Sequence, residues 1–255
     1  MAFYRSNQSN CYVHSKIISW LPIYRGEYKK GDTTVSWNDI PDWTSKVTKS
    51  ILNSLKAKDS HTYFHCLRVG KCARLLGRSA GLNEYEQRVL EYSGIFHDIG
   101  KIGIPDEVLF KPARLSRDEF RLMKLHTLQS VEIISPLIET PFFKDVVPAV
   151  ELHHERLDGT GYPHGFDAKD IPLLTRIVSI VDSVDAMVST RPYCKSMPME
   201  RVLSELKRCS GTQFDEDLVK IYIDAYKFWS KESKEDLKKQ DDGILVADTL
   251  LKAAG

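Results

Sequence analysis

The sequence predicts an all-α fold. Beyond about Asp42, apolar residues recur at the three-to-four-residue spacing of helices in one segment after another, and alternating strand patterns are scarce. Capping residues, glycines and prolines divide these segments at helical lengths. A third feature concerns chemistry. Six of the eight histidines form one ordered series with two aspartates: His61, His65, His97-Asp98, His126, His153-His154 and Asp182, leaving only His14 and His164 outside it. Imidazole and carboxylate are donors that Fe, Mn and Zn prefer, so the series points to a multi-metal hydrolytic centre.

The elements follow in order. Residues 1–45 form an N-terminal segment of uncertain structure and unknown role, in which Ile17 to Leu21 and Thr33 to Trp37 fit either a short strand pair or irregular packing. Asp59 to Ala80 carries Phe64, Leu67, Val69, Ala73 and Leu76 at helical spacing and stops at Gly81, a natural C-cap. His61 and His65 lie one turn apart on it and share a face. The next helix, Asn83 to Ile99, buries Val89, Leu90, Ile95 and Phe96 and brings His97-Asp98 to its C-terminal end. Ser116 followed by Glu119 is a capping box opening a helix to about Leu137, with His126 in its middle.

A short helix runs from about Lys144 to His154. Gly159, Gly161, Pro163 and Gly165 then make Glu155 to Ile171 a structured loop. Pro172 suits the first position of an apolar helix that carries Asp182 and Asp185. Further helices are expected at about Pro198 to Cys209 and Asp215 to Trp229, followed by a charged tail over 231–255 that ends in an apolar docking patch.

With 255 residues and 42% hydrophobic content, the chain can bury a sizeable core, expected to span 46–230. No apolar run approaches the ~18–20 residues of a membrane span, and the opening MAFYRSNQSN lacks the features of a signal peptide, so a soluble cytoplasmic protein is expected. Five cysteines without CxxC pairing read as reduced thiols. A net charge of +1 offers no global attraction to a nucleic-acid polymer or a membrane; an anionic substrate must be held by local charge and metal. The C-terminal helices leave room for a homodimer or a signalling-protein partner.

Each residue also has a plainer reading. A lone helical histidine such as His126 is more often a hydrogen-bonded core residue than a ligand, but the doubled His153-His154 and the His97-Asp98 pair shift that balance. Asp182 is the strongest single case, because a carboxylate among Ile180, Val181 and Val184 is costly unless paired or metal-bound. Asp185, one turn later on the same face, fits either the site or a structural hydrogen bond. Lys101 fits a phosphate contact or a surface lysine at a helix end.

The run His97-Asp98-Ile99-Gly100-Lys101, the stretch from His153 to Pro163, Arg176 to Met187, Arg191-Pro192-Tyr193 and Gly211 to Asp215 together resemble the HD-GYP family of cyclic dinucleotide phosphodiesterases in the HD superfamily. The resemblance covers roughly residues 55–228. It implies an all-helical HD-domain bundle holding two or three divalent ions, usually Fe or Mn, that hydrolyses cyclic di-GMP to pGpG or GMP. By the same resemblance, His65, His97, Asp98, His126, His153, His154 and Asp182 match metal ligands, with Asp98 the bridging carboxylate. Lys101 matches a catalytic position that holds a phosphate oxygen or assists the leaving 3′-oxygen, and Arg191 matches a phosphate-binding position; Asp185 is expected beside them as a substrate contact.

The family has Glu or Tyr four residues before His65 where this chain has His61, an imidazole able to ligate a third metal, to change its affinity or simply to pack. Cys194 replaces a commonly basic residue, with Lys195 beside it as a substitute substrate contact. Two further readings are a cyclic dinucleotide-binding signalling module with little turnover, and an HD phosphohydrolase for another nucleotide such as 3′,3′-cyclic GMP-AMP.

Overall fold

The computed structural model describes residues 43–189 and 196–236, which are helical with irregular connections and contain no strand, only isolated bridges. Helix α1 (Trp43–Lys58) buries Thr44, Thr48, Leu52 and Leu55 along one face. Helix α2 (Ser60–Ser79) starts where the Asp59 side chain accepts the His61 N–H at 2.9 Å and ends at Gly81, whose φ of 77° suits glycine. Helix α3 (Glu84–Phe96) opens on an Asn83–Glu86 capping box and leads through His97-Asp98 into a 3₁₀ turn over Ile99–Gly103.

After the short α4 (Asp106–Leu109), α5 (Arg117–Lys124) opens on the expected Ser116–Glu119 capping box. The single helix expected to run to Leu137 is split: α6 (His126–Ile134) begins after a break at Leu125. There the His126 and Thr127 side chains donate to the carbonyls of Met123 and Lys124, taking acceptors that helical amides would otherwise use. Helix α7 (Pro141–Leu152) starts three residues earlier than its pattern indicated, with Pro141 in its first turn and Phe142 and Phe143 buried. Helices α8 (Leu173–Val188), α9 (Met199–Arg208) and α10 (Glu216–Asp236) complete the described bundle. Pro172 caps α8 from outside, and α10 continues past Trp229 to Asp236.

The core lies among α2, α3, α7 and α8, with Phe96, Phe142 and Phe143 fully enclosed. No helix among the described residues is long and apolar enough to cross a membrane.

Candidate metal centre

Two backbone contacts that only glycine allows bring the histidine-bearing segments together. A Cβ on Gly94 would lie 2.6 Å from the Gly70 Cα, and one on Gly70 would lie 2.7 Å from the Glu91 carbonyl, so α2 and α3 cross with backbones touching. The crossing brings the His65 and His97 Nε2 atoms to 3.1 Å. A Cβ on Gly100 would fall 2.0 Å from the His126 carbonyl oxygen. The turn after Asp98 therefore lies against α6, fixed by Gly100 N–H donating to Ser130 Oγ at 2.8 Å and Ser130 donating to the His97 carbonyl at 2.9 Å.

The ring orientations follow from Nδ1. His97, His126 and His153 donate Nδ1–H to the carbonyls of Gly94, Met123 and Val150 at 2.7, 2.7 and 2.9 Å, and His65 donates to Asp185 at 2.7 Å. A carbonyl can only accept, so His97, His126 and His153 carry their hydrogen on Nδ1, and Nε2 is the atom that each can offer to a cation once it is neutral. The Nε2 atoms converge: His65 on His97 at 3.1 Å, and His126 on His153 at 3.4 Å. Two facing lone pairs repel unless a proton or a cation stands between them. Asp98 Oδ1 is buried and accepts no hydrogen bond. This donor set fits divalent cations and would leave costly orphan groups without them.

The ligand atoms fall into two groups, His65, His97 and Asp182 in one, and Asp98, His126, His153 and His154 in the other, each within 4.8 Å. Asp98 joins them. Its Oδ2 lies 3.4 Å from Nε2 of both His65 and His97, and its Oδ1 lies 3.2 Å from His126 Nε2. Asp182 Oδ1 is 3.1 Å from His65 Nε2 and 3.7 Å from His97 Nε2.

The charges divide along the same line. Burial lowers the proton affinity of His65, but hydrogen bonds to Asp182, Asp185 and Asp98 outweigh it and push the imidazole up to about 10. His97 is also raised, its burial offset by Asp98 and Asp182. On the other side burial dominates and lowers His126 to about 3 and His154 to about 4, with His153 also well below its usual range. Burial disfavours the Asp98 carboxylate, yet Lys101 and His97 hold it well below the usual carboxylate range. Asp182 is held low by His65 and His97 against the same burial penalty.

A cavity of about 510 Å³ opens onto the centre, within the size range of ligand sites. Lys101 lines it and donates to Asp98 Oδ2 at 2.5 Å. Tyr162 lines it too, stacked on His154 with ring centroids 4.7 Å apart. The loop that supplies Tyr162 is pinned from within, because the Glu155 carboxylate accepts the N–H groups of His164, Gly165 and Phe166 at 2.6, 3.1 and 3.1 Å. Gly161 passes so close to the Glu155 backbone that a Cβ there would lie 2.5 Å from it.

Seven of the eight expected metal ligands are thus brought together. His61 is exposed on the cavity wall, outside both ligand groups. Asp185, expected to contact substrate, is turned away from the cavity: it is buried, accepts from His65 Nδ1, and takes the Arg68 Nε and Nη2 at 2.7 and 2.9 Å. Both of its oxygens are committed to side chains of α2, and one of them holds the His65 ring. Arg191, Lys195 and Cys194 lie outside the described residues. Arg68 was not singled out from the sequence, although it follows His65 by three residues, as Asp185 follows Asp182, a spacing that places each pair on one helix face.

A family model described as HD domain matches residues 46–218. A curated cyclic di-GMP phosphodiesterase of Thermotoga maritima is 37% identical over 174 residues, 68% of this chain and 47% of the relative. The cyclic di-GMP phosphodiesterase response regulator RpfG of Xanthomonas campestris is 35% identical over 180 residues, 71% of this chain and 47% of the relative. The chain thus spans about half the length of these relatives. A solved cyclic GMP-AMP-specific phosphodiesterase of Vibrio cholerae superposes with a TM-score of 0.51 at 18% identity, covering 83% of this chain and 54% of the other, a likeness of fold.

Proposed function

Because this chain belongs to the HD-domain family, in the HD-GYP type whose motifs it carries, we propose that it is a metal-dependent phosphodiesterase hydrolysing cyclic di-GMP to pGpG, GMP or both. In this reading residues 46–230 form the catalytic domain and the protein acts in cytoplasmic second-messenger signalling. The observation that carries it is Asp98, one oxygen facing His65 and His97 and the other facing His126. When bound, two divalent ions, iron or manganese, supply activated water near neutral pH and neutralise the phosphodiester oxygens.

His65, His97 and Asp182 would hold one ion, and His126, His153 and His154 the other, with Asp98 shared. The protein prepares this by fixing Nδ1–H of His65, His97, His126 and His153 on carboxylate or carbonyl partners, so that these four rings present Nε2 without rearrangement. Lys101 reaches the cavity wall from beside Asp98, where its ammonium would hold a phosphate oxygen or hand a proton to the departing 3′-oxygen. Water adds to phosphorus, the P–O3′ bond breaks and the 3′-oxygen leaves protonated. Tyr162 covers His154 and limits water access on that side.

Chromatography of cyclic di-GMP incubated with the Fe- or Mn-loaded chain tests the reading. Appearance of pGpG or GMP supports it. Absence of product at full metal loading, with 3′,3′-cyclic GMP-AMP cleaved instead, reassigns the substrate.

A further inference from the structure

Helix α5 places Met123 on the cavity wall and leads directly into the ligand His126, yet none of its residues is buried. Among the described residues, the side-chain hydrogen bonds and ion pairs that hold it stay within residues 111–127: Lys111 with Glu119, Arg121 with Asp118, and the turn contacts of Ser116, His126 and Thr127. The contact that reaches farther is made by a cation and two rings. The half-buried Lys124 carries its ammonium 4.9 Å from the ring centroid of Phe120 and 4.9 Å from that of Tyr162, on the loop that follows α7. At that distance the negative ring face attracts a cation. The two rings meet edge to face with centroids 6.2 Å apart, and Tyr162 stacks in turn on His154.

We propose that Lys124 is a positioning residue: its charge, shared by Phe120 and Tyr162, ties the loop to α5 and seats Tyr162 on His154. The consequence for chemistry rests on the cyclic dinucleotide reading above. With Tyr162 seated, the cavity has a wall of fixed shape beside His126 and His154. Without the charge, the Glu155 carboxylate still pins residues 164–166, but Tyr162 has lost its tie to α5 and must be ordered when a ligand enters. That ordering is a cost of binding, so it falls on KM more than on kcat.

Lys124→Met keeps the length and apolar stem of the side chain and removes its charge, whereas Lys124→Arg keeps the charge. Hydrogen exchange over residues 159–166 and the kinetics of cyclic di-GMP hydrolysis would be measured on the metal-loaded chain and both variants. Lys124→Met is expected to speed exchange there and to raise KM about fivefold with kcat held within about twofold, and Lys124→Arg to return both toward wild type. A Lys124→Met protein that matches wild type in exchange and in KM overturns the clamp. An equal loss in both variants overturns it too, because the lysine would then act through its shape and not its charge. A wild type that cleaves no cyclic di-GMP overturns the phosphodiesterase reading, and the exchange rates then decide the clamp by themselves.

Discussion

The Asp185 carboxylate accepts the Nδ1–H of His65 at 2.7 Å while Arg68 holds both of its oxygens from the flank. The arrangement turns His65 so that its Nε2 faces His97, Asp98 and Asp182. Asp185→Ala should therefore lower metal affinity about 10–100-fold, the effect usual for losing such a support. Competition with a chelator measures it, and Arg68→Ala should show the same direction with a smaller size. Unchanged affinity in both variants would mean that His65 is held by its packing alone.

Gly100 is a second point of leverage. A side chain there meets the His126 carbonyl and the Ser130 amide, both backbone atoms that cannot swing aside. Gly100→Ala should cost about 1–3 kcal/mol of stability and separate Asp98 from His126. Gly103 is the control, since a Cβ there meets only the Gln129 side chain, at 3.0 to 3.1 Å. Thermal unfolding of the two variants should show the larger drop for Gly100→Ala.

Metal binding should release protons. Without metal, His65 is raised from 6.5 to about 10 and holds a proton at pH 7, whereas His126 at about 3 and His154 at about 4 are already neutral. Calorimetry in buffers of differing ionisation enthalpy should give at least about one proton released per chain. The sign for stability follows from the same shift. A folded pKa above the unfolded one stabilises fully below about 6.5, so the metal-free protein should lose stability as pH rises toward 10. A metal-free melting temperature that rises over that interval would contradict the assignment.

The loop carrying Tyr162 depends on Glu155, whose carboxylate receives three backbone N–H groups. Glu155→Ala leaves those donors unmatched, at about 1–3 kcal/mol for each one that stays buried. Faster hydrogen exchange over residues 161–166 and a raised KM should follow, with the helices retaining their protection. Uniform loss of protection would show instead that Glu155 supports the whole bundle.

What the sequence reveals is what local spacing encodes. Ser116 with Glu119 and Gly81 mark helix ends because capping is settled within a few residues, and the histidine series is visible because ligand types are rare. Helix α1 escapes such reading, since Thr44 and Thr48 occupy part of its buried face. The break at Leu125 is hidden as well, because it follows from side chains competing for carbonyls inside a good helical pattern. Asp185 and His65 are 120 residues apart, so nothing in their neighbourhoods announces the bond.

In the proposed phosphodiesterase, Asp98 would unite two cation sites into one centre. The most direct test compares wild type and Asp98→Ala for metal content per chain and for cyclic di-GMP turnover, after anaerobic purification and with folding verified by circular dichroism. We expect at least two ions and product formation in the wild type, and loss of bound metal together with turnover in the variant. A folded Asp98→Ala protein that keeps both its metal and its turnover would contradict the account.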